Sequence, residues 1–353
     1  MSSRISVLIT GVGGRSVGHQ ILHSLALTGE KYKIVATDID PFSFGLYQTE
    51  HHYIVPKASS PDYLPAIMRL VRRENVQVIL PGSEAEVQVL AHARQDLENA
   101  GCALVASPVE VIDLASDKWV LQGWLERNGF GVPRATIGTN WKVLADSVGF
   151  PLIAKPATMS GGSRSVAILN DQEEVSQYLF AVGLPVESVI FQEYVGDIDS
   201  EYTVGVLVSK DGTIIDSIVI HRKLIGLSLG SSRSFNGRNY GISTGYSQGF
   251  VEKHEVLQRF CEKLALKLGA RGPLNIQCRI SGNQVKVFEV HPRFSGTTSI
   301  RGDVGFNEPD VMIRHFVFGE EFKRLGYRSD VAVIRAFQTV VVPRSVLDGA
   351  PRV

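Results

Sequence analysis

The chain opens with an apolar block, Ile5 to Thr10, that stops at Gly11-Val12-Gly13-Gly14. Behind it, Val17 to Ala26 carries apolar residues at helical spacing, and Lys33 to Thr37 forms a second apolar run before Asp38. Continuous apolar runs bounded by turn residues suit buried strands, whereas 3.6-residue spacing puts one apolar stripe on a helix, so the predicted order is strand, glycine turn, helix, strand. The alternation continues. Val76 to Leu80 ends at Pro81-Gly82-Ser83, Ala103 to Ala106 ends at Ser107-Pro108, and helical patterns cover Tyr63 to Arg73 and Val87 to Ala100. Strands alternating with helices predict a parallel sheet over about the first 110 residues.

The pattern changes after Asp117-Lys118. Trp119 to Arg127 reads as a helix stopped by Asn128-Gly129, Val132-Pro133 opens a connector, and Trp141 to Val148 reads as another helix. Pro151 to Lys155 and Ser165 to Leu169 read as strands around the loop Thr158 to Arg164, and a helix follows near Glu173 to Phe180. Longer strands come next at Val189 to Tyr194, Tyr202 to Val208 and Ile214 to His221, then a helix at Glu255 to Leu268 and a hairpin through Gln277 and Glu289. This is an α+β unit behind an α/β unit. Leu224 to Gly249, rich in Gly, Ser, Arg and Asn, is expected to be a functional loop or a partly disordered stretch. A last strand is expected after Val331, with Gly349 to Val353 as a loose end.

Lys plus Arg and Asp plus Glu both number 36 in 353 residues, so the chain has no net charge and no overall basic footprint for nucleic acid. A small-molecule partner is favoured instead. Cys102, Cys261 and Cys278 are odd in number and lack metal or redox spacing, which suits a reducing, cytoplasmic setting. No basic leader with an apolar stretch precedes the first strand, and no apolar run reaches membrane-spanning length, so neither a signal peptide nor a membrane span is expected.

The densest chemistry lies in Val287 to Gly296, where an apolar strand ends by presenting Glu289, His291 and Arg293. A carboxylate, an imidazole and a guanidinium so close together can hold a metal and a phosphate. Gly272 to Ile280 reads as the partner strand, turning through Ser281-Gly282-Asn283, so Asn275 and Gln277 are expected on the same face as Glu289. Lys155 closes a strand just before Ser160, Gly161, Gly162 and Ser163; such a loop can fold over a triphosphate that the ammonium neutralises, although a surface turn beside a solvated lysine has the same pattern. The lysine precedes its glycines, which is not the P-loop order. Phe191 to Val195 leaves a strand for a loop, where free backbone groups can read an adenine edge, and Glu201 follows at a distance suited to ribose hydroxyls. The first glycine cluster resembles a dinucleotide fingerprint but has Ser16 where the third glycine belongs, and a glycine turn is needed there with or without a ligand.

Taken in order, Lys118, Lys155, the glycine loop, Gln192, Glu193, Val195, Glu201, Gln277, Glu289 and Arg293 resemble the ATP-grasp superfamily. Within it they are similar to the synthetase domains of carbamoyl phosphate synthetase, over residues from about 5 to 320. The resemblance implies a Rossmann-like pre-grasp domain (1–115), a small lid subdomain (116–187), a C-terminal antiparallel-sheet subdomain (188–330) and a final strand and tail (331–353). ATP would lie between the lid and the C-terminal subdomain. Lys118, Lys155 and Ser160 to Ser163 would meet phosphates, Glu193 and Val195 would frame adenine with Gln192 in the same cofactor site, and Glu201 would bind ribose. Gln277 and Glu289 would hold Mg2+, and Arg293, with Lys155, would act on the transferring phosphoryl group. His291 stands where the family pattern usually has Asn. Since imidazole is a poor ligand for a hard cation, the reading favours a hydrogen bond to phosphate or carboxylate, with direct metal contact and Mn2+ as the alternative.

The implied activity is that of an ATP- and Mg2+-dependent carboxylate-amine ligase, which activates a small acid as an acyl phosphate and joins it to an amine. Its substrates are small molecules, neither nucleic acid nor membrane is a partner, and a homodimer is compatible with it. Expected substrate determinants are Glu84, Glu86, Arg222, Arg233 and Arg301. Two alternatives stay open: a nucleotide-binding protein without turnover, motivated by His291, and an NAD-dependent dehydrogenase resting on Gly11 to Gly18 alone.

Overall fold

The computed structural model describes residues 4–158 and 165–353. The loop residues Ser160, Gly161, Gly162 and Ser163 lie outside the described residues.

The first sheet contains β1 (Ile5–Ile9), β2 (Tyr32–Asp38), β3 (His51–Ile54), β4 (Val78–Leu80) and β5 (Ala103–Leu104). They lie in the order β3-β2-β1-β4-β5, and every pairing is parallel. Helices α1 (Val17–Ala26) and α2 (Tyr63–Arg73) cover opposite faces, which is why β1 and β4 are apolar almost throughout rather than alternating. Because β1 is central, the turns after β1 and β4 meet at one sheet edge. Their glycines are consumed there by packing. A Cβ on Gly18 would sit 2.3 Å from the Thr10 carbonyl oxygen, and one on Gly82 only 1.9 Å from the same atom. The first glycine cluster thus has a structural reason that requires no dinucleotide.

The helix expected over Val87 to Ala100 is two helices, α3 (Glu84–His92) and α4 (Arg94–Asn99), broken at Ala93. Ser83 caps α3: its hydroxyl accepts the Glu86 amide at 3.3 Å and donates to Glu86 Oε2 at 2.7 Å, so Ser83 and Glu86 bind each other at the helix start. Next come α5 (Val109–Ser116), which sequence reasoning missed, and α6 (Lys118–Arg127), capped by Asp117.

The second sheet, β6 (Ala135–Ile137), β7 (Leu152–Pro156), β8 (Ala167–Leu169) and β9 (Val189–Glu193), is antiparallel in the order β6-β9-β7-β8. Helices α7 (Trp141–Val148) and α8 (Gln172–Val182) pack on it through Trp141, Leu144, Val175 and Tyr178.

The third sheet takes β10 (Glu201–Val208) and β11 (Ile214–Arg222); then come β12 (Leu229–Phe235) and β13 (Arg238–Ser243), followed by β14 (Gly249–Glu252), β15 (Gly272–Ser281), β16 (Gln284–His291) and β17 (Val331–Val333). Six of these form one antiparallel sheet, β16-β15-β10-β11-β14-β17, and β12 and β13 pair only with each other. That hairpin corrects the expectation for Leu224 to Gly249: its alternation was masked by small polar residues on the exposed strand β12, while Tyr240 and Ile242 of β13 pack against Ile168. Helix α9 (Glu255–Leu268) covers one face of the large sheet. The short α10 (Thr298–Asp303) and α11 (Glu308–Phe318) wedge between that sheet and the first one, in a core joining Ile9 and Leu80 to Ile218 and Ile313.

The tail carries α12 (Arg344–Asp348), and the end expected to be loose is pinned, with the Val353 amide donating to Ile54 at 3.1 Å and the Ile54 amide to Pro351 at 2.8 Å. The three cysteines are free and buried. No helix among the described residues is long and apolar enough to cross a membrane.

Candidate active site

The large sheet presents its chemistry in cross-strand rows. Register sets Thr203, Gln277 and Glu289 side by side on β10, β15 and β16; Gly205, Asn275 and His291 form the next row, and Glu201 faces Arg279 in the row before. Alternate residues share a face, so the expected grouping of Asn275 and Gln277 with Glu289 is what the hairpin register produces.

In the Glu201 row, the carboxylate is only 2% exposed and lies 2.9 Å from both Arg222 and Arg279. Burial alone would raise its pKa, but the charges of Arg222 and Arg279 hold it below the usual carboxylate range. Arg222, expected to clamp substrate, is instead a buried brace. It reaches Glu201, the Gln277 Oε1 at 3.3 Å and the Thr244 carbonyl. The Arg279 guanidinium lies 4.1 Å from the centre of the Tyr194 ring.

Lys155, on β7, is 7% exposed, with Nζ 3.3 Å from both Gln192 Oε1 and the Phe288 carbonyl. Burial pushes its ammonium down to about 8; Glu289 opposes this and Lys118 adds to it. Gln192 therefore positions the lysine, and Gln122 supports it in turn at 3.4 Å. The Glu193 side chain is held by the backbone amide of Arg134 at 2.8 Å and by its Nε at 3.2 Å.

Glu289, His291, Glu84 and Arg293 form the third group. His291 Nδ1 lies 2.7 Å from Glu84 and its Nε2 lies 3.2 Å from Glu289, while Arg293 reaches the same Glu84 oxygen at 2.6 Å. Glu84 starts α3, so a helix of the first sheet closes over the strand end of the third. Burial works against both carboxylates, yet His291 holds Glu289 at about 2, and Arg293 with His291 holds Glu84 well below the usual range. His291 is correspondingly raised, burial being outweighed by Glu289 and Glu84.

Two cavities meet here. One of about 300 Å³ is lined by Glu84, Gln88, Ile112, Leu121, Thr158, His291 and Arg293. The other, a slot of about 90 Å³, has apolar walls from Ile153, Val166, Tyr194, Ile242 and Phe288, with Lys155, Val195, Glu201 and Gln277 along it. Lys118 and Glu289 border both. Ile242 belongs to the hairpin that had been expected to be a loop.

Three expected substrate residues lie elsewhere. Glu86 points into the first sheet's core, accepting from Ser83 at 2.7 Å and Tyr63 at 3.2 Å, because as the third residue of α3 it completes the cap. Arg233 sits on exposed β12, 3.6 Å from Glu174, and lines neither cavity. Arg301 is 1% exposed and bridges Glu308 and Asn275, each at 2.7 Å, behind Gly205. A Cβ on Gly205 would lie 2.4 Å from that guanidinium, so the glycine makes the arginine's room. Sequence reasoning missed Gln122, Arg134 and Arg279; only Arg279 had a signal, since it shares strand phase with Gln277.

Residues 7–105 match the family model of the PylC-like N-terminal domain, and residues 189–339 match that of the ATP-grasp in the biosynthetic pathway with Ter operon. The fold is that of ATP-grasp proteins, α/β in its first part and antiparallel in its third sheet. More particularly, the chain is similar to carbamoyl phosphate synthase large chains, being 27% identical over 303 residues to that of Vibrio cholerae. That match takes in 82% of this chain but 27% of the relative, so the chain spans about a quarter of the relative's length. Among solved structures, an ADP complex of N5-carboxyaminoimidazole ribonucleotide synthetase aligns with a TM-score of 0.65 at 16% identity, covering 93% of this chain and 81% of that one. A biotin carboxylase from Campylobacter jejuni aligns at 0.64 and 15%, covering 92% and 74%.

Proposed function

We propose that this chain is an ATP-dependent ligase that phosphorylates a small carboxylate to an acyl phosphate and joins it to an amine, releasing ADP and phosphate. The observation that carries this reading is the convergence of Lys118, Lys155, Glu289 and Arg293, from three different parts of the chain, on two adjoining cavities. The names of similar proteins support it: a synthase, a synthetase and a carboxylase. The domain division given above is proposed with it.

The apolar slot between Ile153, Val166, Ile242 and Phe288 suits the flat faces of adenine, with the backbone of Glu193 and Val195 at its edge and Glu201 toward ribose. Lys155 and Lys118 stand where phosphates would leave that slot for the larger cavity. Phosphoryl transfer demands positioning and charge neutralisation more than covalent help, and two lysines and an arginine provide these. No cluster of three or more His, Cys, Asp or Glu side chains among the described residues is arranged to hold a metal ion by itself. The donors present, Glu289 with the Gln277 amide oxygen and His291, fit an ion that completes its shell with water and phosphate oxygens. Such an ion, when bound, supplies charge neutralisation between the phosphates. Arg293, held by Glu84 in this structure, is proposed to exchange that carboxylate for the substrate's in a bidentate pair.

The test is ADP release from Mg2+ or Mn2+ ATP with pools of small acids and amines, alongside thermal shifts with adenine and nicotinamide nucleotides. Stabilisation by metal-ATP and ADP release that needs both acid and amine is expected, and Glu289→Ala should abolish both effects while remaining folded. Stabilisation by NAD or NADP alone would overturn the reading. Stabilisation by ATP with no turnover from any pool would favour a nucleotide-binding protein.

A further inference from the structure

Both ring nitrogens of His291 face carboxylates. Nδ1 is 2.7 Å from Glu84 of helix α3, so the ring is oriented from outside its own strand. Nε2 is turned to Glu289 at 3.2 Å, and the ring is 14% exposed at the border of the larger cavity. A carboxylate on one imidazole nitrogen, with the other facing a donor oxygen, is the arrangement by which proteins aim histidine at a metal and raise its basicity. The 3.2 Å between Nε2 and the Glu289 oxygen is close to the ~3 Å that separates adjacent donors around an octahedral ion with bonds of ~2.1 Å. Gln277, opposite Glu289 in register, adds a neutral oxygen to the same face.

We infer that His291 is a direct ligand of the divalent ion through Nε2, with Glu84 as its positioning residue, and that this nitrogen makes the centre prefer first-row transition ions such as Mn2+ over Mg2+. The inference rests on the nucleotide-site reading above and specifies its metal. Magnesium gains little from imidazole, whereas affinity for first-row ions rises when nitrogen replaces oxygen. Glu84 fixes the ring from a second element, binding Nδ1 while Nε2 faces Glu289.

The experiment is Mn2+ binding to the full chain with ADP, read by electron spin echo modulation and by competition with Mg2+. Nitrogen coupling is expected in the wild type, changing from the 14N to the 15N pattern when the histidines are 15N-labelled, and disappearing in His291→Asn. That variant should also lose at least about tenfold in its Mn2+ to Mg2+ affinity ratio, and Glu84→Gln should weaken Mn2+ by about 10- to 100-fold without unfolding the chain. Bound Mn2+ showing no histidine nitrogen in the labelled wild type overturns the inference and leaves the nucleotide site standing. Failure of the folded chain to bind either ADP or Mn2+ overturns both.

Discussion

Replacing Glu86 with Gln should make the protein more stable at neutral and alkaline pH and remove part of its pH dependence. Glu86 is buried beneath the first sheet's edge, and burial raises its carboxyl from 4.5 to about 7 despite hydrogen bonds from Ser83, Thr10 and Tyr63. Between those two values the folded protein keeps a proton that the unfolded chain has released. Stability from this group is therefore fully present below about pH 4.5 and is lost as the pH rises through about 7. At about 1.4 kcal/mol per pH unit, the loss amounts to roughly 3.5 kcal/mol as an upper limit. Glutamine keeps the shape and the acceptor for Tyr63, offers its amide to a neighbouring hydroxyl, and does not titrate. Urea unfolding of wild type and Glu86→Gln from about pH 4.5 to 8 measures the difference directly. The gap between them should swing toward the variant by about 2 to 3 kcal/mol across that window. Parallel pH profiles would refute the buried, proton-holding carboxyl.

Lys155 has the opposite sign: its buried ammonium, lowered to about 8, is half neutral near that pH, so an anionic nucleotide must bring a proton with it above that point. ADP affinity should fall by up to about tenfold per pH unit above pH 8 and lose this slope in Lys155→Met, which calorimetry would show. Arg301→Ala should destabilise the fold by about 3 to 5 kcal/mol, because it strands Glu308 in the core, and a loss under about 1 kcal/mol in urea unfolding would contradict the buried pair.

Much of the scaffold was legible in the chain because local pattern and local structure agree. The apolar runs of β1, β2 and β4, the spacing of α1 and α2, and the β15–β16 hairpin with Gln277 opposite Glu289 all follow from periods of two and 3.6 and from turn residues. Where local signal was weak it misled. The β12–β13 hairpin has few apolar positions because one strand is exposed, and the short α5 and α10, with α11, show apolar faces only against other elements.

The same division holds at the site. Glu289, Lys155 and Arg293 stand out by residue type at strand ends, and Lys118 enters only through the resemblance of the whole order. Which arginines face a cavity could not be read this way, since Arg222 and Arg301 are as polar in the sequence as Arg293. Only packing shows that they are spent on Glu201 and Glu308. Nor does the sequence show that Glu84, about 200 residues before His291, fixes its ring. Strand and helix periods are properties of neighbouring residues, and the sequence determines them alone. A carboxylate's partner depends on which surfaces close together, and that is decided when α3 of the first sheet meets the end of β16 in the third.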